Sequence, residues 1–171
     1  MTVILAPRLS LRRLRSEDEL DLLALETDPE VMRSIGNRSG TLEDARRRVR
    51  DRIAADHGVY GWWAIEGRAD GQFHGLALLL AVPDGDEVEI GYRLARRSWG
   101  RGFAAEAAAA LLDRAFAALG LERVIAVTAP ENEASQAVLA RLGFADEGAS
   151  SYQGVPVRRF ATSAEAWRAR R

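Results

Sequence analysis

Apolar and polar positions along this chain change period several times, and each change marks an element. From Arg8 to Leu14, the residues Leu9, Leu11 and Leu14 give an imperfect alternation that predicts an edge strand. Ser16 followed by Glu19 reads as a capping box, opening a helix with Leu20, Leu23 and Ala24 on one face until Asp28-Pro29 interrupts it. Glu30 to Gly40 predicts a short helical turn and then loop, and Thr41 with Asp44 opens an arginine-rich helix to about Asp56. Trp62 to Glu66 and Phe73 to Ala81 are β-type runs, with hairpin chemistry from Gly67 to Gly71 between them. Pro83, Asp84 and Gly85 turn the chain again. Glu87 to Ala95 then alternates, with Val88, Ile90, Tyr92 and Leu94 on one face and Glu87, Glu89, Gly91 and Arg93 on the other. The middle of the chain is therefore expected to be an antiparallel meander.

After Gly102 the period becomes helical. Ala104, Ala108, Leu111, Leu112, Ala115 and Leu119 recur every three to four residues, and Gly120 stands where a C-terminal cap belongs. Small alanines would let this helix lie close to a sheet. Arg123 to Thr128 is a β-branched-rich strand, and Asn132 is an N-cap for a second helix that ends at Gly143. Strand, helix and strand in this order imply a crossover. Ala145 to Ser150 and Val155 to Thr162 close the chain as a hairpin, so the sheet is mixed and mostly antiparallel.

Composition narrows the chemistry. At 171 residues the chain fits one domain with a core of its own, and a net charge of -1 supplies no field for nucleic acid. Without cysteine there is no thiol nucleophile, disulfide or cysteine metal site. All 24 basic residues are arginine, which removes Schiff-base and Walker lysines. His57 and His74 make no metal-ligand spacing, and His74, in an apolar run, reads as a packed, hydrogen-bonded side chain. The opening MTVILAPRL has neither a basic start nor a cleavage site, and no run approaches the roughly 20 apolar residues that span a bilayer. A cytoplasmic protein without membrane or nucleic-acid partners is expected. The arginines Arg46 to Arg48, Arg50 and Arg52 read as a solvated helix face, with attraction of an acidic acceptor or a ribosomal surface as the alternative.

One segment points to a ligand: Arg97-Ser98-Trp99-Gly100-Arg101-Gly102-Phe103-Ala104, between a strand and an alanine-rich helix. Glycines there let backbone N–H groups approach an anion, and the helix N-terminus adds partial positive charge, a combination that suits pyrophosphate. The dinucleotide fingerprint fits poorly because Ala105 replaces its third glycine, and there is no Gly-Lys-Ser/Thr.

Arg97-x-x-Gly100-x-Gly102 resembles the acetyl-CoA loop of the GCN5-related N-acetyltransferases (GNAT). Arg8-Leu-Ser-Leu-Arg12, Glu89-Ile-Gly-Tyr92, and Asn132-Glu-Ala-Ser135 to Leu142-Gly-Phe144 resemble, in order, the branch acetylating amino termini of ribosomal proteins. The resemblance implies an α+β fold of that type, one N-acetyltransferase domain over 1–171 with a mostly antiparallel seven-stranded sheet flanked by helices, and acetyl-CoA without metal. It implies direct transfer in a ternary complex to an amine, either a protein or peptide N-terminus or a small molecule; a homodimer is left open. The strands on either side of the loop would splay around the pantetheine arm. Ile90, Gly91 and Tyr92 would contact it by backbone, Arg97 and Trp99 to Ala104 (Trp99, Gly100, Arg101, Gly102, Phe103, Ala104) would cradle pyrophosphate, and Asn132 with Ser135 would lie around the thiol.

Glu89 is read as the base, acting through water, against the alternative of a solvated strand charge. Ser135 is read as the proton donor to the thiolate, against an ordinary hydroxyl near a helix start, because Leu139 stands where many relatives carry a tyrosine. Tyr60, Trp62, Trp63 and Trp99 either line an acceptor pocket or belong to the core. Specificity would sit in Asp28 to Gly40 and in Ser150 to Pro156. Two alternatives remain: an acyl-CoA-binding module without catalysis, and a nucleotide-binding regulator using the same loop.

Overall fold

A computed structural model describes residues 2–35, 40–56, 58–83 and 85–170. Its sheet is mixed, as the pattern predicts, but among the described residues it has eight strands rather than the expected seven, in the order β1-β2-β3-β4-β5-β6-β8-β7. The additional strand is β1 (Val3–Leu5), which pairs antiparallel with β2 (Leu9–Arg13). So Arg8 to Leu14 does not form the edge: β2 is bonded on its other side to β3 (Gly61–Gly67). The short apolar run before Pro7 is long enough for a three-residue edge strand, too short for a period to be read from it.

From β3 the chain runs through β4 (Phe73–Ala81) to β5 (Val88–Leu94), all antiparallel. Helix α4 (Phe103–Asp113), continued by a π-helical turn over Arg114–Ala118, returns the chain to β6 (Arg123–Thr128), parallel to β5. After α5 (Glu133–Arg141), the strands β7 (Ala145–Tyr152) and β8 (Val155–Ser163) form a hairpin whose second strand pairs with β6; α6 (Ala164–Ala169) follows. The hairpin tip is thereby carried toward β5.

Both faces of the central strands are covered, which explains the nearly continuous apolar run of β4. On one face, Phe103, Ala107 and Leu111 of α4, with Ala115 of the π-helical turn, pack with Leu11, Trp63, Leu79 and Ile90. On the other, α1 (Glu19–Thr27), α2 (Pro29–Met32) and α3 (Leu42–Ala54) bring Leu22, Leu25, Val31 and Val49 against Ala64, Phe73 and Leu76.

The α1 face differs from its sequence reading. Leu20 is 79% exposed and Ala24 is exposed, while Leu22, Leu25 and Glu26 turn inward. The helix carries leucines on several sides, so periodicity does not choose a face and packing does. Its entry is shifted too: the Asp18 carboxylate, not Glu19, reaches back to accept from the Arg15 N–H at 2.7 Å. The Thr41–Asp44 capping box forms as expected.

The arginine-rich face of α3 is only partly solvated. Arg46, Arg47 and Arg50 pair at the surface with Glu43, Asp44 and Glu19. Arg52, however, is 8% exposed, bonds the buried Glu26 at 2.9 Å and lies over the Trp62 ring at 4.2 Å. Arg93 of β5 bonds the same Glu26 oxygen, and Arg48 Nε stands 3.9 Å from the other. A buried carboxylate with three guanidiniums around it ties α1 and α3 to β5 beneath the site.

Candidate active site

Along its β4 side, β5 is paired from Val88 to Leu94. Along its β6 side, the pairing is the single register Glu89↔Ile125. Beyond Glu89 the two parallel strands part, as expected, and leave the β5 backbone facing a cavity of about 620 Å³. Glu89, Ile90, Gly91, Tyr92, Asn132 and Ser135, all candidates from sequence, line this one cavity.

Glu89 is partly buried, and its environment is set by β7: the Tyr152 hydroxyl donates to Glu89 Oε2 at 2.7 Å. Burial raises the Glu89 pKa above its ordinary value, and the phenol's hydrogen bond draws it part of the way back. A carboxylate poised this way holds a proton more readily than a solvated one, which is what a base near neutral pH needs. Sequence reading included Tyr152 only as part of a specificity segment; nothing in the spacing joins residues 63 positions apart.

The second cluster pairs β5 with α5. Asn132 Oδ1 accepts from the Ser135 N–H at 3.1 Å, the N-cap that the sequence predicts. Ser135 Oγ lies 3.0 Å from the Tyr92 hydroxyl, which also donates to the Ser135 carbonyl at 3.3 Å. Burial pushes the Tyr92 phenol up to about 12, so it stays protonated and able to donate across the working pH range. Leu139 is buried against the core and borders the cavity. A phenol is therefore present after all, contributed by the strand rather than by the helix.

The glycine loop stands outside that cavity, past the C-terminal end of β5. It is tied to the sheet at three points: Arg97 donates to the Phe73 carbonyl at 2.6 Å, Trp99 Nε1 donates to the Leu94 carbonyl at 2.9 Å, and Ser98 Oγ meets His74 Nδ1 at 2.8 Å. The Trp99 ring is nevertheless 46% exposed. His74 is buried against Phe103, and burial, then nearby Arg101, lower its pKa; it is the packed residue expected from sequence.

Gly100 and Gly102 adopt φ of +70° and +77°, the left-handed region that favours glycine. A Cβ at Gly100 would meet nothing within 4 Å, so that side of the backbone faces open space. Gly102 is the N-cap of α4, whose first N–H groups, from Phe103 and Ala104 onward, have no carbonyl of their own helix to bond. Arg101 and Arg8 lie over the Phe103 ring at 4.4 and 4.8 Å, with Arg8 held by Glu106 at 2.7 Å. Open backbone donors flanked by guanidiniums fit a pyrophosphate.

The two segments expected to govern specificity reach the cavity from both sides, through Arg33 to Ile35 and Tyr152 to Pro156. Residues 36–39 lie outside the described residues, as do His57 and Asp84. Of the aromatics, Trp62 lines the cavity, Trp63 is fully buried in the core, and Tyr60 packs against the core. Among the described residues, no group of three or more His, Asp and Glu side chains could hold a metal ion, and no helix is long and apolar enough to cross a membrane.

Residues 8–145 match the family model described as an acetyltransferase (GNAT) domain. The chain is 34% identical over 147 residues to the FsC-acetyl coenzyme A-N(2)-transacetylase of Aspergillus fumigatus, a match covering 80% of this chain but 62% of that longer relative. An acetyltransferase of the GNAT family from Bacillus anthracis superposes with a TM-score of 0.82 at 25% identity, over 96% of this chain and 99% of that one. The ribosomal L7/L12 α-N-protein acetyltransferase RimL, in complex with coenzyme A, shares the fold with a TM-score of 0.79 at 22% identity, over 96% of this chain and 99% of its own.

Proposed function

Because this chain belongs to the GNAT acetyltransferase family and is an acetyl-CoA-dependent acyltransferase, we propose that it acetylates an amine by direct attack, the acceptor being a protein or peptide α-amino group or a small-molecule amine. The observation that carries this reading is one cavity, opened where β5 and β6 part, that holds a desolvated carboxylate, Glu89, together with a paired hydroxyl and phenol, Ser135 and Tyr92. The two named relatives agree on nitrogen as the acetylated atom, one at N(2) and one at a protein α-nitrogen. One domain over residues 1–171, working in the cytoplasm, carries the reaction.

Acetyl-CoA supplies an acetyl group activated as a thioester. Gly100, Arg101 and Gly102, with the amides of Phe103 and Ala104, hold its pyrophosphate; Arg97 and Trp99 brace that loop on the sheet. Ile90, Gly91 and Tyr92 align the pantetheine arm by backbone, in the place an added strand would take. Glu89 takes the proton lost by the acceptor nitrogen, directly or through water. An α-amino group has an ordinary pKa of about 8, so a modest base suffices near neutral pH. Ser135 Oγ donates a proton to the departing sulfur, kept in position by the Asn132 cap at its N–H and the Tyr92 hydroxyl at its side chain.

Calorimetric titration with acetyl-CoA, followed by thiol release in a pool of peptides and small amines, tests this reading. Stoichiometric binding and amine-dependent thiol release are expected. Binding with no release from any amine would remove amine transfer, and absence of binding would remove the loop assignment. Gly100→Val should raise the CoA dissociation constant by roughly tenfold or more, because a β-branched residue resists positive φ and its side chain enters the space left for the anion. A folded variant with unchanged CoA affinity would exclude Gly100 from the cofactor site.

A further inference from the structure

We propose that Tyr152 is a positioning residue for the base, its hydroxyl holding the Glu89 carboxylate in place in the cavity. The inference rests on Glu89 being that base, and begins with the backbone. Gln153 and Gly154 both have positive φ, +49° and +77°, which makes the β7–β8 connection a tight two-residue turn with Tyr152 paired to Val155. Such a turn fixes the register of the hairpin and with it the direction of the phenol. β8 is held in turn, bonded to β6 along Arg123 to Thr128, and Arg159 bridges Glu87 of the β5 approach and Glu147 of β7 at 2.6 and 2.9 Å. The phenol therefore reaches Glu89 from a hairpin held in register against β6.

Tyr152 gives Glu89 its one side-chain hydrogen bond among the described residues, and gives it to Oε2, which leaves Oε1 for the proton of the acceptor. The other titratable or charged groups lining the cavity are Arg33 just after α2, Tyr92 and Arg93 from β5, and Glu131 before α5. Arg33 is paired with Glu30, Arg93 with Glu26, and Tyr92 with Ser135. Only the Tyr152 phenol combines direct contact with Glu89 and a bond that favours its charged form. Burial alone would push the carboxylate toward its protonated, non-basic state.

Tyr152→Phe removes the hydroxyl and keeps the ring. Its test is a ¹³C NMR titration of glutamate-labelled protein, with the Glu89 resonance assigned from Glu89→Gln, alongside pH profiles of kcat/KM. In Tyr152→Phe the Glu89 pKa should rise by roughly one unit. The acid limb of the activity profile should rise with it, lowering the rate about tenfold at the foot of that limb while the KM for acetyl-CoA stays unchanged. An unmoved Glu89 resonance would overturn the positioning role whether or not the protein turns over. A Glu89 resonance that moves in Tyr152→Phe, while the wild-type protein releases no thiol, would sustain the positioning of Glu89 and overturn the catalytic reading beneath it. A shift in KM for acetyl-CoA without a shift in the acid limb would also overturn it, because that pattern belongs to a merely structural residue.

Discussion

Glu89→Gln should lower kcat/KM by roughly 10²- to 10³-fold near neutral pH, the range a positioned general base contributes. The pH dependence gives this expectation its sign. Burial raises the Glu89 pKa, so the ionised, proton-accepting form accumulates as pH rises through that raised value and is lost as pH falls through it. Wild-type activity should climb across that limb and then level, while the glutamine variant shows no such limb. The gap should be widest where Glu89 is ionised but the acceptor is still ammonium, and narrow above about pH 8, where an α-amino group sheds its proton unaided. A glutamine variant with wild-type rates at pH 7 would return Glu89 to the role of a strand charge.

The second large effect concerns stability. Glu26→Ala should destabilise the protein by about 3–5 kcal/mol, the usual cost of removing one partner from a buried ionic cluster. Arg52 and Arg93 are nearly inaccessible to solvent, both bond Glu26, and Arg48 stands close by. Without the carboxylate, buried positive charges face one another where water cannot screen them. Urea denaturation should show a lower midpoint at an unchanged slope, and the melting temperature should fall by roughly 10 °C for a chain of this size. A loss below about 1 kcal/mol would mean that the cluster relaxes into solvent, and would remove it as the tie between α1, α3 and β5.

The parts of the site that sequence made visible are those whose chemistry is local. The glycine loop is recognisable because positive φ, short side chains and a following helix N-terminus are requirements of neighbouring residues. The Asn132 cap is legible for the same reason: a donor three positions away fixes the residue type. The alternation of β5 and the alanine periodicity of α4 likewise announce a strand and a closely packed helix. Where the pattern is degenerate, reading fails. The leucines of α1 suit more than one face, three residues at β1 are too few to show a period, and an arginine run cannot say which of its members turns inward as Arg52 does.

The partnerships around Glu89 and Ser135 are of another kind. Tyr152 meets Glu89 across 63 positions and Tyr92 meets Ser135 across 43, distances over which side-chain identity carries no registration signal. By itself, then, the sequence determined most of the elements, the glycine loop, the helix cap and the family, because each depends on interactions within a few residues or on motifs in fixed order. Only the tertiary structure decided which face of α1 is buried, that Arg52 and Arg93 converge on Glu26, and that one phenol attends the carboxylate while another attends the serine. Those outcomes depend on strand order, with β8 inserted between β6 and β7 and a single paired register joining β5 to β6. Strand order is settled by the packing of the whole sheet, and no local stretch of chain contains it.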